Sequence, residues 1–256
     1  MMQTVNKWLG GISAVALGVA SMVVAADETK TFSQSYDFFK HGSINLDNIN
    51  GSIEVSGWDK DEILLEYTIT ADDTDDLKNV KVEVEHSEQD FDVEVDIESG
   101  GFMNWGGNSG EVSFQLKVPK GVSLNSIESV NGSIKIEGVS GEIRAETVNG
   151  KIVIRNAAQD VKFGTVNGDV EVHLDQLHSS HRIKGDTVNG DIEVYLPEND
   201  GFELRTETVN GDLSNEFGIN VDEGEYVGAD MDGKYKNGGA SLKFDTVNGD
   251  IDVRKK

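Results

Sequence analysis

The sequence predicts an all-β protein: a right-handed parallel β-solenoid, β-helix-like, with an antiparallel β-sheet inserted near its N-terminal end. Three observations carry that expectation. A Val-Asn-Gly motif recurs along the chain, apolar and polar residues alternate around each copy, and equivalent positions repeat the same side chain.

The motif begins as Asn48-Ile49-Asn50-Gly51. It returns at Val130-Asn131-Gly132, Val148-Asn149-Gly150, Val166-Asn167-Gly168, Val188-Asn189-Gly190, Val209-Asn210-Gly211 and Val247-Asn248-Gly249. The Asn-to-Asn intervals are 81, 18, 18, 22, 21 and 38 residues. Self-similarity at roughly 20 residues marks stacked repeats, each too small to bury its apolar face alone. The interval of 38 spans about two periods and places a degenerate coil at residues 214–235, and the interval of 81 signals an insertion.

Around the motif, apolar residues fall in columns. Four residues after the Val stand Ile134, Ile152, Val170, Ile192, Leu213 and Ile251; six after stand Ile136, Ile154, Val172, Val194 and Val253, with Asn215 the exception. Five before it stand Ile143, Val161, Ile183, Leu204 and Leu242, with charged residues between the columns. Short runs of such alternation mean β-strands with one face inward, two per unit, joined at Asn-Gly.

An antiparallel meander with type I′ turns at Asn-Gly fits the same alternation. The sameness of the columns separates the two. Thr147, Thr165, Thr187, Thr208 and Thr246 align, as do the asparagines. In a solenoid these side chains touch in ladders ~4.8 Å apart, whereas a meander sets them two strands apart and gives no reason for identity. The right-handed sense follows from the general crossover rule.

The insertion, 61–120, holds four alternating runs: Ile63 to Ile69, Val80 to Val84, Phe91 to Ile97 and Val112 to Val118. They read as one antiparallel sheet with a wet face, packed on the first coils as a cap. The expected organisation is a signal peptide (1–26), an N-terminal strand and first coil (27–60), the insertion (61–120) and the solenoid repeats (121–256).

The first segment differs from the rest. Lys7 is its only charge, an apolar stretch runs from Trp8 to Val24, and Val24-Ala25-Ala26 precede Asp27-Glu28. A basic start, an apolar middle and a small-residue exit describe a secretory signal with cleavage near Ala26. The expected location is the periplasm or the cell exterior, with no membrane span after cleavage.

The 256 residues carry 22 Lys and Arg against 47 Asp and Glu. Loss of Lys7 with the leader leaves 21 against 47, a formal charge of −26. Such a surface repels nucleic-acid phosphates and anionic lipid, and attracts basic proteins and peptides; it also simply keeps an elongated β protein soluble. With no cysteine, disulfides, thiolate metal sites and a lipidated cysteine are excluded.

The repeated Thr-Val-Asn-Gly-Asp-Ile-Glu-Val, the lead-in Leu116-Lys117-Val118-Pro119-Lys120-Gly121-Val122 and the closing Gly238-Gly239-Ala240-Ser241-Leu242-Lys243 resemble the bacterial adhesin-type β-strand-repeat family, over roughly residues 44–254. The resemblance implies a solenoid-like fold and an envelope or secreted setting. The family is a domain of unknown function and supplies no catalytic residues.

Candidate chemistry is sparse. His173, His178 and His181, with Asp175 nearby, have a spacing that zinc or copper accepts, but they lie in the longest regular period and read as a solvated loop. Asp169, Asp191, Asp212 and Asp250 follow Asn-Gly and suggest a carboxylate column for calcium. Ser52, Ser133 and Lys151 interrupt that column, which favours turn carboxylates in water. Phe102, Met103 and Trp105, in a glycine-flanked loop, are interaction candidates or a fold-back over a sheet edge. No catalytic signature and no cofactor motif is present. The expected function is therefore a non-catalytic, adhesin-like binding or structural protein of the envelope or exterior. The alternatives are a carbohydrate-active enzyme on a β-helix scaffold and an acidic sink or sensor for cations and cationic peptides.

Overall fold

The computed structural model describes residues 28–72, 74–97, 110–224 and 228–256. The expected signal segment, 1–26, and the interaction candidates Phe102, Met103 and Trp105 lie outside the described residues. Two large, mostly parallel sheets of ten and eleven strands face each other across a continuous apolar core.

Seven coils build the stack, each contributing one strand to either sheet with Asn-Gly at the corner. They are β2 (Ser43–Asn50) with β3 (Ile53–Trp58), β8 (Ser123–Asn131) with β9 (Ile134–Glu137), and β10 (Ile143–Asn149) with β11 (Ile152–Ala157). Then follow β12 (Val161–Asn167) with β13 (Val170–Leu174), β14 (Arg182–Asn189) with β15 (Ile192–Leu196), β16 (Phe202–Asn210) with β17 (Leu213–Asn215), and β20 (Ala240–Asn248) with β21 (Ile251–Lys255). Equivalent positions pair in parallel: Thr147 with Thr165, Ile152 with Val170, Val153 with Glu171. The touching ladders expected of a solenoid are formed, and the meander is excluded.

The stack departs from chain order at both ends. In the eleven-stranded sheet β20 lies between β14 and β16, and β21 likewise separates β15 from β17. The last coil is thus inserted, not terminal. The expected degenerate coil at 214–235 is instead an excursion. Its strand β19 (Ala229–Tyr235) pairs antiparallel with β16, and the short β18 (Asp222–Glu223) pairs with β19. Asn215, the exception in the apolar column, starts that excursion. Its Oδ1 accepts from the N–H of Phe217 and of Ile219 at 3.0 Å each, and its Nδ2 donates to the Ile219 carbonyl at 2.7 Å. Phe202, Phe217 and Tyr235 then close this end edge to face.

The insertion does not form a sheet of its own. Strands β6 (Asp90–Ile97) and β7 (Glu111–Pro119) pair in parallel with β2 and β3, adding an eighth coil that lacks the Asn-Gly corner. Strand β4 (Glu62–Ala71) pairs antiparallel with β7, β1 (Glu28–Asp37) with β4, and β5 (Val80–His86) with β6; the short helix α1 (Thr74–Asn79) leads into β5. The four runs are divided between both sheets because inward residues of each run, such as Leu65 and Val93, extend one shared core. Tyr36 of β1 meets Phe91 of β6 at 5.0 Å between ring centroids, joining the two sheets at this end.

Backbone proximity dictates the repeated residues. A methyl group at position 168 would sit 2.0 Å from the carbonyl oxygen of Gly150, so only glycine lets the coils approach to ladder distance there. Inside, Gly185 stands in register between Phe163 and Phe244, and its missing side chain lets those rings stack with centroids 5.9 Å apart.

Candidate interaction face

Three side-chain ladders hold the corner together. Asn131 donates its Nδ2 to Asn50 Oδ1, and the relay continues through Asn149, Asn167, Asn189, Asn248 and Asn210 at 2.8–2.9 Å per link. Thr147, Thr165, Thr187, Thr208 and Thr246 donate to glycine carbonyls of the adjacent coil, as Thr147 Oγ1 does to Gly132 at 3.0 Å. Three of the aspartates after Asn-Gly, Asp169, Asp191 and Asp250, accept backbone N–H groups from the next coil: Asp191 N to Asp169 Oδ1 at 3.1 Å, Asp250 N to Asp191 Oδ1 at 2.8 Å and Asp212 N to Asp250 Oδ1 at 2.7 Å. Each of these three carboxylates binds a backbone amide, which offsets part of the cost of stacking like charges.

The histidines are not brought together. His173 lies on the outer face of the ten-stranded sheet, stacked on Tyr195 at 4.2 Å with its Nε2 2.8 Å from Glu171 Oε1. His178 and His181 lie beyond the end of β13, ring edge to ring face at 4.9 Å, with His181 Nδ1 accepting the His178 N–H. Burial, then the neighbouring His178, holds the His181 imidazole below its usual range. Among the described residues no group of three or more His, Asp or Glu is placed to hold a metal. Glu171 is instead an ionic hub. Arg155 at 2.6 Å, His173 at 2.8 Å and Lys151 at 3.1 Å hold its carboxyl down at about 2 despite partial burial. Lys151, which interrupts the aspartate column, is spent on that hub.

The outer face of the eleven-stranded sheet has a different character. Strand alternation turns Ile143, Ala145 and Thr147 inward, so Arg144, Glu146 and Val148 point out, and parallel register repeats that choice on every coil. The result is three stripes along the stack. Arg144, Lys162, Lys184, Lys243 and Arg205 form a basic ladder in unbroken register. Two residues on, an acidic ladder runs from Glu94 through Asp47, Glu128 and Glu146, and resumes at Asp186, Asp245 and Glu207. Gly164 breaks it between Glu146 and Asp186. Arg144 and Lys162 bind Glu146 at 3.0 and 2.9 Å and, against partial burial, hold its carboxyl low. Asp47 lacks such a partner: burial and the carboxylates of Glu128, Glu94 and Asp92 push it up.

The third stripe is apolar. Val130, Val148, Val166, Val188, Val247 and Val209 stand 39–42% exposed, each between an inward Ser or Thr and the asparagine ladder. An open groove of about 650 Å³ follows this ridge and the acidic ladder beside it, from Asp47 to Asp186, and among the described residues no aromatic side chain lines it. Sequence reasoning missed the ridge, although the signal was present. The inward column lies five residues before each Val, an odd spacing, and alternation then places the Val on the opposite face.

A family model described as Toastrack DUF4097 matches residues 40–254. No curated protein matches the chain. Among solved structures, a candidate cell adhesion protein from Clostridium sporogenes is 14% identical, spans 90% of this chain and 100% of its own, and superposes with a TM-score of 0.50. A candidate adhesin from Bacteroides fragilis is 10% identical over 89% of this chain and 97% of its own, TM-score 0.33. A candidate lipid binding protein from Parabacteroides distasonis is 13% identical over 88% and 96%, TM-score 0.33.

Proposed function

Because this chain belongs to the Toastrack DUF4097 family, we propose that it is a non-catalytic, adhesin-like binding protein of the cell surface or envelope, with the outer face of the eleven-stranded sheet as its contact surface. The valine ridge carries the reading. Single exposed apolar residues are ordinary, but a line of valines repeated coil after coil at one surface position is the kind of contiguous patch that marks a contact site. The adhesion-protein name of the Clostridium sporogenes structure supports the same class. Export with cleavage near Ala26 and a right-handed winding belong to this reading. A glycosidase would need two carboxylates facing each other across the scissile bond, and the acidic side chains here stand in one ladder along one side of an open groove.

Co-sedimentation of residues 27–256 with envelope fractions of the producing cell tests this reading. The wild type should bind saturably. Val148→Thr/Val166→Thr/Val188→Thr, which keeps shape and charge, should bind at least about tenfold more weakly, equivalent to roughly 1.4 kcal/mol. Unchanged binding by that variant, or release of reducing ends from an envelope glycan, overturns it.

A further inference from the structure

We infer that the groove between the valine ridge and the acidic ladder docks a short basic peptide folded as an amphipathic helix. The inference rests on the reading above and names its partner. Spacing is the first argument. Coils repeat at ~4.8 Å, and a helix lying along the stack presents one side chain per turn of ~5.4 Å. Across Val130, Val148, Val166 and Val188 the mismatch accumulates to less than about 2 Å, within the reach of side-chain adjustment. An extended segment repeats each face at ~6.8 Å and is out of step after the first coil or two.

Charge is the second argument. Glu128, Asp186 and, already paired to Arg144 and Lys162, Glu146 stand two residues from the ridge, on one side only, and the neutral asparagine ladder bounds the other. A ligand therefore meets apolar surface first and anionic surface immediately beside it, the pattern an amphipathic helix with a Lys or Arg flank complements. Beyond the acidic ladder, the basic ladder of Arg144, Lys184 and Lys243 repels a ligand that is cationic all round. Gly164 breaks the acidic ladder, and the Asp186 carboxylate leans over it, its Oδ2 3.3 Å from where a Cβ would lie.

Two 14-residue peptides of identical composition test this: Leu-Lys-Lys-Leu-Leu-Lys-Lys twice over, with Leu at helical spacing, and an isomer with Leu at alternate positions. Calorimetry and circular dichroism at two salt concentrations read affinity and induced helix. The helical peptide should bind wild-type protein at least about tenfold more tightly than its isomer and gain helicity on binding. Val148→Thr/Val166→Thr/Val188→Thr should erase that preference without lowering the melting temperature, and Glu128→Gln/Asp186→Asn should weaken binding and flatten its salt dependence. Equal affinity for both peptides, or a preference unchanged in the Thr variant, overturns the inference and leaves only general attraction to an acidic surface. If the peptides fail while envelope binding still depends on the ridge, only the helical partner falls; if envelope binding is also indifferent to the ridge, the contact surface falls with it.

Discussion

Asn189 and Asn248 are 59 residues apart in the chain, yet the Asn248 amide donates to Asn189 Oδ1 across 2.8 Å. That bond exists because the last coil sits between the two that precede it. The chain has no cysteine, so engineered pairs can test the order directly. Lys184 and Lys243 are exposed partners in register, and Arg205 lies one strand farther. Lys184→Cys/Lys243→Cys should oxidise to an intramolecular disulfide, since paired strands lie ~4.8 Å apart. Lys184→Cys/Arg205→Cys, at ~9.5 Å, should stay reduced. The opposite result on reducing and non-reducing gels would mean that the coils stack in chain order.

The asparagine relay predicts a position-dependent cost. Asn167 both donates to Asn149 and accepts from Asn189, whereas Asn50 at the end of the relay only accepts. Asn167→Ala should lower stability by about 1–2 kcal/mol and Asn50→Ala by about half as much, read from urea midpoints. Equal losses would show that the links act independently of their place in the ladder.

Glu171 makes acid stability testable. Its folded carboxyl is held at about 2, below the ordinary value of 4.5, chiefly by Arg155. A group depressed on folding stabilises the protein above its unfolded pKa, and that contribution is lost as pH falls through the folded value. Glu171→Gln should therefore cost about 1–2 kcal/mol at neutral pH, a figure reduced for solvent screening of the surrounding pairs. Between pH 4.5 and 2 the gap between variant and wild type should close. A gap that persists at pH 2 would mean the hub stabilises by packing alone.

Gly168→Ala should be among the most damaging single-methyl changes in the chain. The added carbon would sit 2.0 Å from the Gly150 carbonyl, and rigid backbone, not a flexible side chain, has to yield. A loss of roughly 2–3 kcal/mol or more in thermal or urea unfolding is expected. A near-neutral variant would mean that the coils separate more easily than the ladder geometry implies.

The coil itself was legible because period and identity report contact. Thr147 and Thr165 match because they touch. What lay beyond reach was order along the stack. Parallel ladders of equivalent residues look alike whichever coil lies beside which, so nothing local in Lys243 or Ile251 says that they pair with Lys184 and Ile192. The insertion was misread for a related reason. Alternation in Phe91 to Ile97 fixes an inward face but not the partner strand, and β2 was an equally good partner. The site was the least legible. The three histidines are close in sequence but divided between a strand face and the loop that follows it, whereas the valine ridge exists only once the stack is built.

The inserted last coil also sets when the molecule can close. A solenoid stacked in chain order can grow one coil at a time as its chain appears, each new layer resting on the one before. Here β16, paired meanwhile with β19, and β17 reach the coil of β14 and β15 only through β20 and β21, which lie between them. At the other end β2 waits for both β6 and β8. Contacts of such long sequence separation slow folding. The stack closes between β14 and β16 only once β20 and β21 have joined it.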